Sequence, residues 1–275
     1  MPGSLYIVAT PIGNLEDITH RALRILGEVD QIACEDTRHV RKLLDHYGVS
    51  RPLVSYHEHN EAARTDDLIE NLHQGRNIAL VTDAGTPLVS DPGYRVVSRA
   101  IKEGIPVIPI PGPAAAVTAL MGSGLPTDSF HFGGFLPMKR QQRRKALELL
   151  RSETATLVFY EAPHRILDSL EDIQAVLGPR AVVLARELTK IHEEFLRGTA
   201  NSVRDELARR PALKGEMTIL IGRADEVEAD DRPLPEAVHA LMTEGLSRMD
   251  AIKTVARRRG LGKREVYQAL VEAEP

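Results

Sequence analysis

The run Ile78-Ala79-Leu80-Val81 passes directly into Thr82-Asp83-Ala84-Gly85-Thr86-Pro87-Leu88-Val89-Ser90-Asp91-Pro92-Gly93. An apolar strand that ends this way cannot continue as strand or turn into helix. Pro87 and Pro92 have no backbone N–H to donate, and the glycines accept a positive φ. The stretch is therefore an irregular loop at the carboxyl end of a buried strand, where open α/β sheets bind their ligands. Two other segments have the same make-up and also follow apolar runs: Ala9-Thr10-Pro11-Ile12-Gly13-Asn14 and Pro109-Ile110-Pro111-Gly112-Pro113-Ala114-Ala115. Three such loops predict one shared cleft.

Strand and helix signals alternate through the first part of the chain. Leu5 to Ala9, Gln31 to Cys34, Leu53 to Tyr56, Ile78 to Val81 and Ile105 to Ile108 read as strands. Between them, Asp17 or Thr19 can cap a helix carrying Ala22, Leu23 and Leu26. Val40 to Tyr47 and Glu61 to His73 read as further helices. This alternation predicts a largely parallel sheet with helices on both faces, spanning residues 1–112. Over 113–224 the pattern becomes mixed. A helix starts at Pro113, and strands are expected at Phe130 to Gly133, Thr156 to Tyr160, Ala181 to Ala185, Glu194 to Arg197 and Met217 to Ile221. Helices are expected at Lys145 to Leu150, Ile166 to Leu177 and Val203 to Arg209, with a hairpin around Ile191 and His192. Residues 225–235 form an acidic, proline-ended linker, and 236–275 a helical tail resembling a helix-turn-helix.

Composition narrows the function classes. A net charge of −4 means that any nucleic-acid contact must come from a local basic patch. The single cysteine, Cys34, excludes an intramolecular disulfide and a Cys-rich zinc site. The apolar run Leu5 to Ala9 is too short for a signal peptide, and no segment approaches the roughly 20 apolar residues of a membrane span. The expectation is a cytoplasmic protein without a membrane partner. His57-Glu58-His59 is the only metal-like pattern; no further ligand follows it, so no metal is expected. No G-x-G-x-x-G follows the first strand and no Walker loop occurs, which disfavours pyrophosphate cradling.

The motifs Val8-Ala9-Thr10-Pro11-Ile12-Gly13-Asn14-Leu15, Cys34-Glu35-Asp36-Thr37-Arg38 and Thr82-Asp83-Ala84-Gly85-Thr86-Pro87 occur in that order. They are followed by Pro111-Gly112-Pro113-Ala114-Ala115, Phe159-Tyr160-Glu161-Ala162-Pro163-His164-Arg165, Arg186-Glu187-Leu188-Thr189-Lys190 and Gly215-Glu216-Met217-Thr218. Taken together, the series resembles the tetrapyrrole methylase family, and within it the branch that modifies small-subunit ribosomal RNA. The resemblance implies two α/β domains with S-adenosylmethionine between them and a homodimer. It also implies methyl transfer to the ribose 2′-oxygen of a cytidine in the decoding region of 16S rRNA, free or in the small subunit. Pro11, Gly13, Asp83, Ala84, Gly85, Thr86, Leu88, Ala114 and Ala115 would hold the cofactor. Tyr160, Glu161, Glu187 and Met217 would close the pocket from the second domain. Where the wider family has a G-G-D-P-type sequence, this chain has Asp83-Ala84-Gly85-Thr86-Pro87. A tetrapyrrole C-methyltransferase and a non-catalytic RNA-binding protein are the alternative readings.

A ribose hydroxyl is a poor nucleophile at neutral pH, so a nearby base is expected. Asp36, just past the second strand, is the first choice and His57 the second. Asp36 also suits the N-cap of the following helix and can serve as cap, base or both. Glu161 and Glu187 either orient the ligand or neutralise Arg165 and Arg186.

Five of the seven residues from Lys139 to Lys145 are cationic: Lys139, Arg140, Arg143, Arg144 and Lys145. Such a run is either a solvated helix face or a phosphate clamp beside the Gly133-Gly134 turn. Phe130, Phe132 and Phe135 are nearby, as core or as base-stacking surfaces. In the tail, Ser247-Arg248-Met249-Asp250 opens a helix, with Ala256, Gly260, Leu261, Val266 and Leu270 at helix-turn-helix core positions. From Arg248 to Arg264 there are seven cations, among them Arg257, Arg258 and Arg259, against the single anion Asp250. Small corrin or porphyrin substrates give no reason for such a basic appendage.

Overall fold

The computed structural model describes residues 1–224, 232–243, 245–259 and 261–273, the side chains of Arg257 and Arg258 excepted. Five strands, β1 (Leu5–Val8), β2 (Gln31–Cys34), β3 (Leu53–Ser55), β4 (Ile78–Leu80) and β5 (Val107–Ile110), form a parallel sheet in the order β3-β2-β4-β1-β5. Helices α1 (His20–Glu28), α2 (Thr37–His46), α3 (Glu61–His73) and α4 (Tyr94–Lys102) make the crossovers that parallel pairing demands. Thr19 caps α1 by accepting a hydrogen bond from Ala22 N–H at 3.0 Å, and Ala22, Ile25 and Leu26 are the residues that helix buries. Two apolar layers, one on each sheet face, account for the near-continuous hydrophobic strands.

Two features differ from the sequence expectation. The fifth strand runs over Val107–Ile110, not Ile105 to Ile108, and so includes Pro109. It lies at the sheet edge, where a missing donor costs nothing in the ladder. Helix α4 carries no assignment in the sequence reading. It begins directly after Gly93, whose φ of 139° lets the loop reverse into it.

Helix α5 (Ala115–Ser123) leads into the second sheet. This sheet contains β6 (Phe130–Phe135), β7 (Thr156–Glu161), β8 (Ala181–Arg186), β9 (Glu194–Thr199) and β10 (Met217–Ile221), in the order β6-β7-β10-β8-β9. Only β6 and β7 are parallel; β8 and β9 form the expected hairpin. Helices α6 (Arg140–Leu149), α7 (Ile166–Leu177) and α8 (Ala200–Ala208) pack on one face. Helix α5 covers the other, with Ala116, Ala119 and Leu120 against Val158, Val183 and Leu220. Both sheets lie in one compact unit, Met1–Arg223.

Ala224–Pro275 form a second unit. Helices α9 (Leu234–Thr243), α10 (Arg248–Arg258) and α11 (Lys263–Ala273) enclose a core that includes Val238, Ile252, Val255, Ala256, Val266 and Leu270, with Leu261 packed against it. The Ser247 cap forms as expected: Ser247 Oγ accepts from Asp250 N–H at 3.3 Å and donates to the Asp250 carboxylate at 2.7 Å. Gly260 and most of the proposed linker lie outside the described residues.

Candidate active site

The sheet order explains why three distant loops meet. β1 is flanked by β4 and β5, so the segments leaving their carboxyl ends emerge side by side. Thr10 and Gly85 exchange backbone hydrogen bonds of 2.9 and 3.1 Å, and Thr10 Oγ1 donates to the Thr82 carbonyl at 3.1 Å. Thr86 Oγ1 donates to the Pro113 carbonyl at 3.0 Å, tying in the third loop.

These loops face β7, β8 and β10 across a cavity of about 440 Å³. That is ample for a ligand of nucleoside size or somewhat larger. Asp83, Ala84, Gly85, Thr86, Ala114 and Ala115 line it from the first sheet's loops, and Tyr160, Glu161 and Met217 from the second. Small side chains dominate one wall and leave room for a flat group. Tyr160 Oη accepts from Ala116 N–H in the first turn of α5 at 3.3 Å, and Phe132 and Phe135 pack edge-on against its ring. Burial pushes the Tyr160 phenol up from its ordinary value, with the Asp91 charge adding to the effect.

Four of the residues expected at the cofactor lie outside the lining. Ile12, not Pro11, reaches the cavity. Gly13 instead admits the loop that follows β8: a Cβ there would sit 2.5 Å from Lys190 Cγ and 3.0 Å from the Leu188 carbonyl oxygen. Val89 lines the cavity in place of Leu88, whose side chain packs at Gly93. Glu187 pairs with Lys190 at 2.8 Å and accepts from Glu216 N–H at 2.9 Å, so its partner is Lys190 and not Arg186. The lysine's hydrogen bond is the main cause holding the Glu187 carboxyl below its ordinary range. Glu161 is buried and neutralised by Arg165, and also takes hydrogen bonds from Ser169 Oγ and Ala162 N–H.

The two residues expected to act as base are also outside the lining. Asp36 is the N-cap of α2, accepting from Arg38 N–H at 2.8 Å and pairing with the Arg38 guanidinium at 2.7 Å. Those hydrogen bonds hold its carboxyl far below the ordinary carboxylate range, which makes it a weak proton acceptor. His57 lies at the turn after β3, with its backbone N–H donating to Asn60 Oδ1 at 2.9 Å. Phe135, expected as core or as a base-stacking surface, also lines the cavity; residues that sequence reasoning passed over include Glu216, and Ser90 and Asp91 at the far end of the long loop. Their signal was position: the loop doubles back, with Leu88 and Ser90 at φ values of 71° and 70°.

The cationic run begins α6 five residues earlier than expected, and its arginines share one buried counterion. Arg140, Arg143 and Arg144 lie at i, i+3 and i+4 and converge on Asp172 of α7, at 3.1, 2.7 and 2.6 Å. Asp172 is fully buried and Arg143 nearly so. Burial alone would raise the Asp172 carboxyl, but the three guanidiniums outweigh it and hold it below the usual range. The arginines that looked like an unneutralised clamp thus have a structural counterion, while Lys139 and Lys145 are exposed. Of the tail cations, the Arg257 and Arg258 side chains lie outside the described residues, and Arg259 donates to the Arg232 carbonyl at 2.6 Å. Among the described residues no group of His, Cys, Asp or Glu could hold a metal ion, and no helix is long and apolar enough to cross a membrane.

A family model of the tetrapyrrole (corrin/porphyrin) methylases matches residues 4–204. A ribosomal RNA small subunit methyltransferase I from Halalkalibacterium halodurans is 53% identical over 96% of this chain and 93% of its own length. Its counterpart from Haemophilus influenzae is 48% identical over 98% and 96%. Among solved structures, a uroporphyrin-III C-methyltransferase from Thermus thermophilus complexed with S-adenosylhomocysteine superposes with a TM-score of 0.55. It is 18% identical and covers 79% of this chain and 97% of its own.

Proposed function

The chain belongs to the tetrapyrrole (corrin/porphyrin) methylases, and from that premise we propose that it methylates small-subunit ribosomal RNA with S-adenosylmethionine as donor. The acceptor in this reading is the ribose 2′-oxygen of a cytidine in the decoding region of 16S rRNA. One observation carries the RNA part: the relatives named for ribosomal RNA match 96% and 98% of the chain, and so extend into the helical tail. The family model ends at residue 204.

The cavity suits the donor. Ala84, Ala114, Ala115 and Ala162 leave space for a flat ring, and the Asp83 carboxylate, which has no ion-pair partner among the described residues, favours a cationic ligand. Asp83 to Thr86, Ala114, Ala115, Tyr160, Glu161 and Met217 are the residues proposed to hold it. When bound, S-adenosylmethionine supplies a methyl group already activated on a positively charged sulfur. The chain's own work is positional. The Thr10–Gly85 bridge and the Thr86–Pro113 hydrogen bond fix the loop walls before a ligand arrives, which reduces the ordering cost of binding. The apolar wall of Ile12, Leu188 and Met217 excludes water from the reacting groups.

The test is transfer of labelled methyl to purified small subunits, free 16S rRNA and uroporphyrinogen in parallel. Label in RNA, recovered in one alkali-resistant dinucleotide containing cytidine, is the expected result. Label in uroporphyrinogen and none in RNA would favour the C-methyltransferase reading instead.

A further inference from the structure

Four acidic side chains line the cavity: Asp83, Asp91, Glu161 and Glu216. Their partners separate them. Glu161 is neutralised by Arg165 at 3.0 Å, and Glu216 is paired with Lys190 at 3.1 Å. Both already have a cationic partner. Asp83 Oδ1 accepts from the backbone N–H of Asp36 at 3.1 Å and so anchors the start of α2. Asp91 takes its one hydrogen bond from a side chain and not from backbone: Oδ1 accepts the Thr82 hydroxyl at 2.8 Å, and among the described residues Oδ2, like that of Asp83, has no donor. Asp91 is half-buried, pairs with no cation among the described residues, and lines the cavity that Phe135 and Tyr160 line from the second sheet.

The backbone around Asp91 is built to hold it there. Leu88 and Ser90 both have positive φ, and Gly93 follows at 139°. A non-glycine residue in that region is strained and persists only where the surroundings enforce it, a pattern that concentrates at functional sites. Here the loop is pinned by Thr82 at one end and by the N-terminus of α4 at the other.

We propose that Asp91 is the general base of the methyl transfer, taking the proton of the acceptor hydroxyl through Oδ2. This rests on the RNA-methylation reading above. In the step, the ribose oxygen forms its bond to the methyl carbon as the carbon–sulfur bond breaks. The bonding pair stays on sulfur and cancels its charge. The hydroxyl proton passes to the Asp91 carboxylate and then to solvent. Thr82 is a positioning residue that fixes the carboxylate's orientation. The titratable groups facing Asp91 are Asp83 on the same loop, Glu35 at the end of β2 and Tyr160 on β7. Burial raises the Asp91 carboxyl above its ordinary range, the Thr82 hydrogen bond opposes this, and the Asp83 charge adds to the rise.

The experiment compares the parent with Asp91→Asn, Asp91→Glu and Thr82→Val. It measures S-adenosylmethionine and S-adenosylhomocysteine affinities by calorimetry and single-turnover methylation of small subunits between pH 4.5 and 8.5. Asp91→Asn is expected to lose about 10²–10⁴-fold in rate while both affinities stay within about threefold. The parent's rate falls as acid protonates the base, and Thr82→Val moves that acid limb to higher pH by removing the bond that favours the ionised form. Asp91→Glu, which retains a carboxylate, recovers part of the rate. If Asp91→Asn binds both ligands normally and keeps its rate within threefold, the base assignment is wrong while RNA methylation stands. A tenfold loss of S-adenosylmethionine affinity with an unchanged maximal rate makes Asp91 a cofactor contact and likewise overturns it. A parent that labels porphyrinogen and not RNA overturns the underlying reading instead.

Discussion

Replacing Asp172 with Asn tests whether the basic run of α6 is an internal counter-charge or a surface clamp. In the parent, three guanidiniums share a carboxylate with no solvent exposure. Their burial differs sharply: the Arg143 side chain is 3% exposed, against 56% for Arg140 and 43% for Arg144. When the charge of Asp172 is removed, Arg140 and Arg144 turn to water at a cost of no more than about 1 kcal/mol each. Arg143 cannot. It keeps only long bonds to the Pro137 and Met138 carbonyls, at 3.4 and 3.3 Å. A buried charge stripped of its partner costs about 3–5 kcal/mol. In a unit of this size that corresponds to a Tm lowered by about 6–20 °C. The assay is urea unfolding followed by far-ultraviolet ellipticity, with the shift read from the midpoint at constant m. Arg140→Ala and Arg144→Ala should each shift it by less than about 1 kcal/mol. The paired change Asp172→Leu with Arg143→Met, which buries no charge, should recover most of the loss. An Asp172→Asn variant within 1 kcal/mol of the parent would refute the reasoning. The pH dependence has a defined sign. The folded-state pKa is depressed, so the contribution is complete above the unfolded carboxyl value near 4 and disappears as pH falls through the folded value below it.

Gly13→Ala should destabilise by about 1–3 kcal/mol, because the added carbon meets Lys190, Thr189 and the Leu188 backbone at 2.5–3.0 Å. Gly27→Ala, in α1 with nothing within 4 Å, should stabilise by about 0.5–1 kcal/mol, and thermal melts of the pair measure both. Thr10→Val removes the buried hydroxyl that bridges two cavity loops, and calorimetry should find weaker S-adenosylhomocysteine binding with stability reduced by about 1 kcal/mol. Cys34 is fully buried and its thiol is pushed up to about 12, chiefly by burial and then by the charges of Asp83 and Asp36. A disulfide reagent at pH 8 should therefore label it at the rate of opening of the first sheet, with labelling of native protein at the rate of a free thiol counting against the packing described.

What the sequence made legible follows from how far each signal reaches along the chain. Strands such as Gln31–Cys34 and helices such as Glu61–His73 and Ile166–Leu177 match the expectation because their signals are local: an apolar run or period bounded by a cap or a breaker. The meeting of three loops was also inferable, since each carries its own proline and glycine signature. What the sequence could not supply was which side of a loop faces inward. Pro11 and Ile12 are neighbours, as are Leu88 and Val89, and in each pair only the second lines the cavity. The reversal at Leu88 and Ser90 depends on non-glycine residues with positive φ, which no local preference announces. Charge was misread for a related reason. The arginines of α6 find their counterion 28 to 32 residues away on α7, and Asp172 gives no sign within its own helix that it is destined for burial. Asp36 marks the limit of the approach from the other direction. Its capping role is encoded within three residues and is met in the structure, whereas a role as base would require long-range packing to turn the carboxylate toward the cavity. Arg38 holds it where it is. A loop that returns on itself can bring an acid to the cavity wall from much further along the chain, and Asp91 is the residue so placed.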